Sequence, residues 1–133
     1  MNDNRRILYP VPGLAIAALV AASAARPAPT DVPDAVRSIL QRSCAVSGCH
    51  RGNYPAKKLS LEPGTFPESA VGVASRQVPD QTLIDPGAPD KSYLLRKVAG
   101  AEGIAGKRMP IGRKSLTSGE IQALRDWIEG LDR

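Results

Sequence analysis

Cys44-Ala45-Val46-Ser47-Gly48-Cys49-His50 is the stretch on which the reading of this chain turns. It contains both cysteines and the one histidine of the 133 residues, with the histidine directly after the second cysteine. Immediately upstream, Val36, Ile39 and Leu40 fall at i, i+3 and i+4, the spacing of one apolar helix stripe. Asp31 as N-cap, Pro33 in the first turn and Asp34 near the dipole's positive end predict a helix that begins there. It should run to about Ser43 and deliver the chain into Cys44. Gly48 permits a tight backbone ahead of Cys49 and His50.

Three chemistries suit this set. An exported chain with two cysteines often closes a disulfide, and a bridge over so short a loop adds little stability. A structural zinc site would be one ligand short. Covalent haem attachment uses every residue: two cysteines form thioethers to the vinyl groups, and the adjacent histidine becomes the proximal iron ligand. A thioether sulfur from a distant loop then closes the sixth position, and Met109 stands 59 positions beyond His50. As an ordinary methionine it would be a core filler.

Downstream of the motif, residues 51–88 are rich in Gly and Pro and poorly periodic, which predicts a long loop with at most a short helix near Pro67 to Ala74. Loops of that length are usually functional or wrapped on something. Asp90 to Val98 suits a short helix ending at Gly100, with Leu94, Leu95 and Val98 inward and Tyr93 at the edge. Thr117 and Glu120 form a capping box for a last helix, whose Ile121, Leu124, Trp127, Ile128 and Leu131 repeat at helical spacing. The fold class expected is all-α: a helix at each end, one in the middle, loops between.

The first 25 residues read as an export signal. Arg5 and Arg6 form a basic n-region, residues 11–25 a short apolar run, and Ala22-Ser23-Ala24 a small-residue cleavage site. The run falls below the roughly 20 residues of a spanning helix, and an uncleaved N-terminal anchor is the alternative. A Pro-rich leader, residues 26–31, then precedes a single domain at 32–131. Cleavage would make Met109 the one remaining methionine and lower the formal charge from +5 to +4, since Asp3, Arg5 and Arg6 leave. This mild basicity lacks the clustered stripe of a nucleic-acid binder.

One Phe, one Trp and three Tyr, of which Tyr9 lies in the signal, leave the core poor in large side chains. Small domains have little burial to spare, so a bulky apolar cofactor would fill a real need.

The chain resembles the single-haem c-type cytochromes, and particularly the small cytochrome c-like domains of exported planctomycete and other environmental bacterial proteins. The matching stretches, in order, are Ile39-Leu40 leading into Cys44 through His50, then Leu59-Ser60-Leu61 and D-P-G-A-P-D-K-S-Y-L-L-R-K-V. R-M-P at Arg108 to Pro110 follows, and L-T-S-G-E-I-Q-A-L-R-D-W-I-E-G closes the set. The resemblance implies one haem c held by Cys44 and Cys49, ligated by His50 and Met109, with terminal helices packed together beside it. Four residues separate the cysteines where the common motif has two, so a single-thioether or noncovalent haem stays open.

The function expected is one-electron transfer in the periplasm by Fe(III)/Fe(II) cycling, through transient contact with redox protein partners rather than enzymatic turnover. A haem-based sensor or enzyme with a displaceable Met109 is the alternative, although no second histidine exists to serve as acid–base group. A haem-free, disulfide-closed interaction domain is the third reading. The propionates would find Arg51, Lys107 or Arg108 nearby, with solvation the simpler fate of each.

Overall fold

Proline has no N–H to lose and a φ already suited to helix entry, and Pro33 is where the first helix begins. The computed structural model describes residues 31–131; the expected export signal, and the leader apart from Asp31, lie outside them. Helix α1 spans Asp34–Ser43, α2 Tyr93–Ala99 and α3 Ser118–Glu129, with single 3₁₀ turns at Ala56–Lys58 and Pro89–Lys91. Two isolated bridges, Val71 with Ile84 and Ala74 with Thr82, are the extent of β pairing among the described residues. The described residues are helix-rich, without strands.

The start of α1 differs from the expectation. Pro33 itself occupies the N-cap position, with no side-chain capping bond, and Asp31 is left outside the helix. Arg37 reaches back instead and donates from Nη2 to the Val32 carbonyl at 2.9 Å. Cys44 closes the other end, its N–H donating to the Leu40 carbonyl at 2.9 Å. The stripe of Val36, Ile39 and Leu40 is buried as its spacing requires.

Helix α3 carries the capping box in full. The Thr117 N–H donates to Glu120 Oε2 at 2.7 Å, and the Glu120 N–H donates to Thr117 Oγ1 at 3.3 Å. Leu124, Trp127 and Ile128 point into the core against α1 and α2. Arg42 on α1 pairs with Glu120 and so braces the two terminal helices at their edge.

Residues 51–88 are irregular as expected, but the short helix near Pro67 is a run of turns. Pro67 accepts from the Ala70 and Val71 N–H groups at 2.9 Å each, and the chain then folds back through the bridges. Its return arm serves α2: the Tyr93 and Leu94 N–H groups donate to the Thr82 and Leu83 carbonyls at 3.0 and 2.9 Å. Two of the helix's four orphan donors are satisfied in this way. Ser92, fully buried, accepts from the Asp85 N–H at 2.9 Å and donates to the Ala88 carbonyl at 3.1 Å. Gly100 ends α2 in the left-handed region at φ 69°, as a C-terminal glycine should.

Tyr93 is not at the edge of α2 but in its buried face, 2% exposed, whereas Tyr54 lies on the surface. Trp127 packs on Phe66 with ring centroids 5.4 Å apart, and its Nε1 is a buried donor without a partner among the described residues.

Truncation of Ile128, which is fully buried between the helices, should cost about 2–5 kcal/mol in an Ile128→Ala variant, read by chemical denaturation. The Glu120 carboxyl is held below its usual range, first by the Thr117 backbone N–H and then by Arg42. A depressed folded-state pKa contributes stability above the ordinary carboxylate range that disappears as pH falls through the depressed value. Thermal melts of wild type and Glu120→Gln should therefore differ at neutral pH and converge in strong acid.

Candidate functional site

The wide spacing of the cysteines is taken up by a turn. The Cys49 N–H donates to the Val46 carbonyl at 3.0 Å, with Gly48 at φ 76°, a region other residues enter at a cost. The His50 N–H then returns to the Cys44 carbonyl at 3.2 Å. Ser47 and Gly48 thus lie at the surface while Ala45 is buried and both ends of the motif stay at the foot of α1. Cys44 is buried and Cys49 half-buried, both as free thiols. Burial, and next the neighbouring Cys49, push the Cys44 thiol up to about 11 against the opposing pull of Arg113.

The segment after the motif holds the histidine ring. The Ala56 N–H donates to the Cys49 carbonyl at 2.7 Å, and the Leu61 N–H to the His50 carbonyl at 2.9 Å. His50 Nδ1 lies 3.0 Å from the Leu59 carbonyl oxygen. A carbonyl only accepts, so Nδ1 carries the proton and the lone pair of the neutral ring is at Nε2. This is the arrangement by which proteins orient a metal-binding imidazole. Between these contacts Lys57 and Lys58 adopt φ 56° and 55°, strained for residues with a side chain.

Two cavities adjoin this ring. One, of about 340 Å³, is lined by Cys44, Cys49, His50, Leu61, Met109 and Ile111 among others. The second, of about 330 Å³, is bounded by His50, Leu59, Leu83, Tyr93, Leu94 and Met109, with Lys57, Lys58, Arg76 and Lys97 at its polar side. His50 and Met109 are the two residues common to both. All four residues singled out from the sequence therefore line the first cavity, whose volume is within the roughly 300–1,000 Å³ of small-molecule and cofactor sites.

Met109 reaches the cleft from the loop after α2, half-buried, with its N–H donating to the Lys97 carbonyl at 3.0 Å. Lys97 is the residue that sequence reasoning missed. It is 7% exposed, and its Nζ donates to the Ala105 and Lys107 carbonyls at 2.7 Å each. Burial, followed by repulsion from Lys57, lowers its pKa. A signal was present: Lys97 falls four residues after Tyr93 and three after Leu94, on the buried stripe of α2.

The cations considered for a cofactor's carboxylates are engaged elsewhere. Arg51 pairs with Glu62 at 3.2 Å and Arg108 donates from Nε to the Val98 carbonyl at 2.8 Å. Neither they nor Lys107 line either cavity. Trp127 likewise lies away from the cleft, a core residue.

Among the described residues, no group of three or more His, Cys, Asp or Glu side chains converges to hold a bare metal ion, and no helix is long and apolar enough to cross a membrane. No protein-family model, curated protein or solved structure matches the chain.

His50, Met109, Cys44 and Cys49 together are a donor set that could hold a haem. An imidazole with a fixed tautomer and a thioether share an apolar cleft, and two thiols border it. In chain purified without cofactor, Cys44 should alkylate about a hundredfold more slowly in the folded protein than in denaturant, because only the thiolate reacts. Peptide mass spectrometry after timed labelling reads this, and equal rates would contradict the burial of Cys44.

Proposed function

We propose that this protein is a one-electron carrier of the cytochrome c-like type, exported to the periplasm and holding one haem c. The observation that carries the reading is that His50, with Nε2 as its lone-pair nitrogen, and Met109 line both of two neighbouring cavities, one of which Cys44 and Cys49 also border. That is the cavity in which thioether bonds to the vinyl groups would form. Lys57, Lys58, Arg76 and Lys97 line the other cavity against one acid, Glu68, a net positive lining where the carboxylates of such a cofactor would need counter-charge. When bound, haem supplies reversible Fe(III)/Fe(II) chemistry, and methionine opposite histidine raises the potential relative to two histidines.

The chain's own contribution is ligation and shielding. His50 is oriented by Leu59, and Met109 fills the position a small-molecule substrate would need. Leu61, Leu83, Tyr93 and Leu94 keep the cleft walls apolar, which tunes the potential by excluding water. Cys44 and Cys49 anchor the group against loss. Partner proteins would meet the cleft's exposed rim in small, short-lived encounters.

The mass of the unfolded polypeptide tests the reading. Protein made with a haem-maturation system should weigh one haem more than the processed chain, and a Cys49→Ala variant should retain less haem on denaturation. A denatured polypeptide at its apo mass, with no haem in the native protein, overturns the reading. In the holoprotein, Met109→Ala should abolish the optical band of thioether-ligated ferric haem and lower the reduction potential.

A further inference from the structure

We propose that Lys97 is the positioning residue for Met109, a latch that fixes the 101–109 loop on α2 and so keeps the thioether at the cleft. The proposal rests on Met109 being the sixth ligand. A loop of this composition, with Gly103 and Gly106 both at positive φ, has no regular structure to set its path. Its backbone groups must find partners elsewhere, and α2 provides them.

The loop is pinned at successive points. Arg96 Nη2 donates to the Glu102 carbonyl at 2.8 Å, and Tyr93 Oη accepts from the Ala105 N–H at 3.0 Å. Lys97 then takes three positions by itself: Nζ to the Ala105 and Lys107 carbonyls, and its own carbonyl to the Met109 N–H. Beyond it, Arg108 Nε donates to the Val98 carbonyl, and a methyl group at Gly100 would meet the Arg108 Cδ at 2.8 Å. Lys97 is thus bound on both sides of Gly106 and to the backbone of Met109 itself.

The choice of lysine is informative. A buried ammonium is normally compensated by a carboxylate, and here two neutral carbonyls serve. Charge-assisted bonds to carbonyls are stronger than neutral ones, and both are weakened together if the charge is removed. An apolar side chain would pack in the same place without holding the loop. Lys97 borders the second cavity, but its ammonium is committed to the two loop carbonyls, so the residue acts through the backbone it fixes.

The holoprotein carrying Lys97→Met, which keeps the length and burial of the side chain, tests the latch beside wild type and Met109→Ala. Imidazole competes with Met109 for a ferric haem, so its affinity should rise about tenfold in Lys97→Met, the scale of a lost charged hydrogen bond. The reduction potential should fall toward that of Met109→Ala. Amide exchange at Ala105 and Met109 should quicken by about the same factor, while Leu124 and Ile128 amides in α3 stay unchanged. If Lys97→Met does not accumulate, Lys97→Gln, which keeps two donors without the charge, should move every readout in the same direction by less.

Unchanged imidazole affinity and unchanged Met109 protection in either variant overturn the latch. That result leaves the axial role standing if Met109→Ala itself gains imidazole affinity. Wild type and Met109→Ala with equal affinity overturn the axial role and the latch together.

Discussion

A seven-residue helix is too short to hold itself together in water, so α2 exists only through what binds its ends and its inner face. The irregular stretch before it offers the Thr82 and Leu83 carbonyls to its first N–H groups, and Ser92 ties in the turn ahead of it. In return α2 supplies the partners that the following loop lacks. Neither half of this exchange is stable alone. Together they connect the wall of the cleft formed by residues 51–88 to the loop that brings Met109.

The terminal helices solve a different problem. Their apolar stripes are long enough to pack on one another, and the capping box and the Arg42–Glu120 pair reinforce a contact that burial already favours. This packing anchors Cys44, because the cysteine is the capping residue of α1. The cleft is therefore built from a rigid side, the motif at the foot of α1, and a side whose rigidity is borrowed, the loop held on α2. His50 follows the end of a helix packed in the core, and Met109 lies on a loop fixed by a few strong polar contacts.

Much of the helical outline was legible in the residues. The spacing of Val36, Ile39 and Leu40, the Thr117–Glu120 box and the Gly100 stop all act within a few positions of one another, and local rules describe them. The entry to α1 is not legible locally, because Asp31 and Pro33 compete for the same role and Pro33 takes it. Tyr93 was placed at the edge because a tyrosine is amphipathic, and its burial depends on a partner, the Ala105 N–H, twelve residues away.

By itself the sequence determined the chemical vocabulary of the site: two cysteines, one histidine beside the second, and a methionine in a distant Gly-rich loop. Adjacency in the chain and helical periodicity are enough for that. Tertiary structure decided the rest. It set which nitrogen of His50 is free, by bringing the Leu59 carbonyl to Nδ1, and that His50 and Met109 share one cleft. It also gave Lys97 its place, since a lysine looks solvated until the carbonyls it must satisfy fold over it.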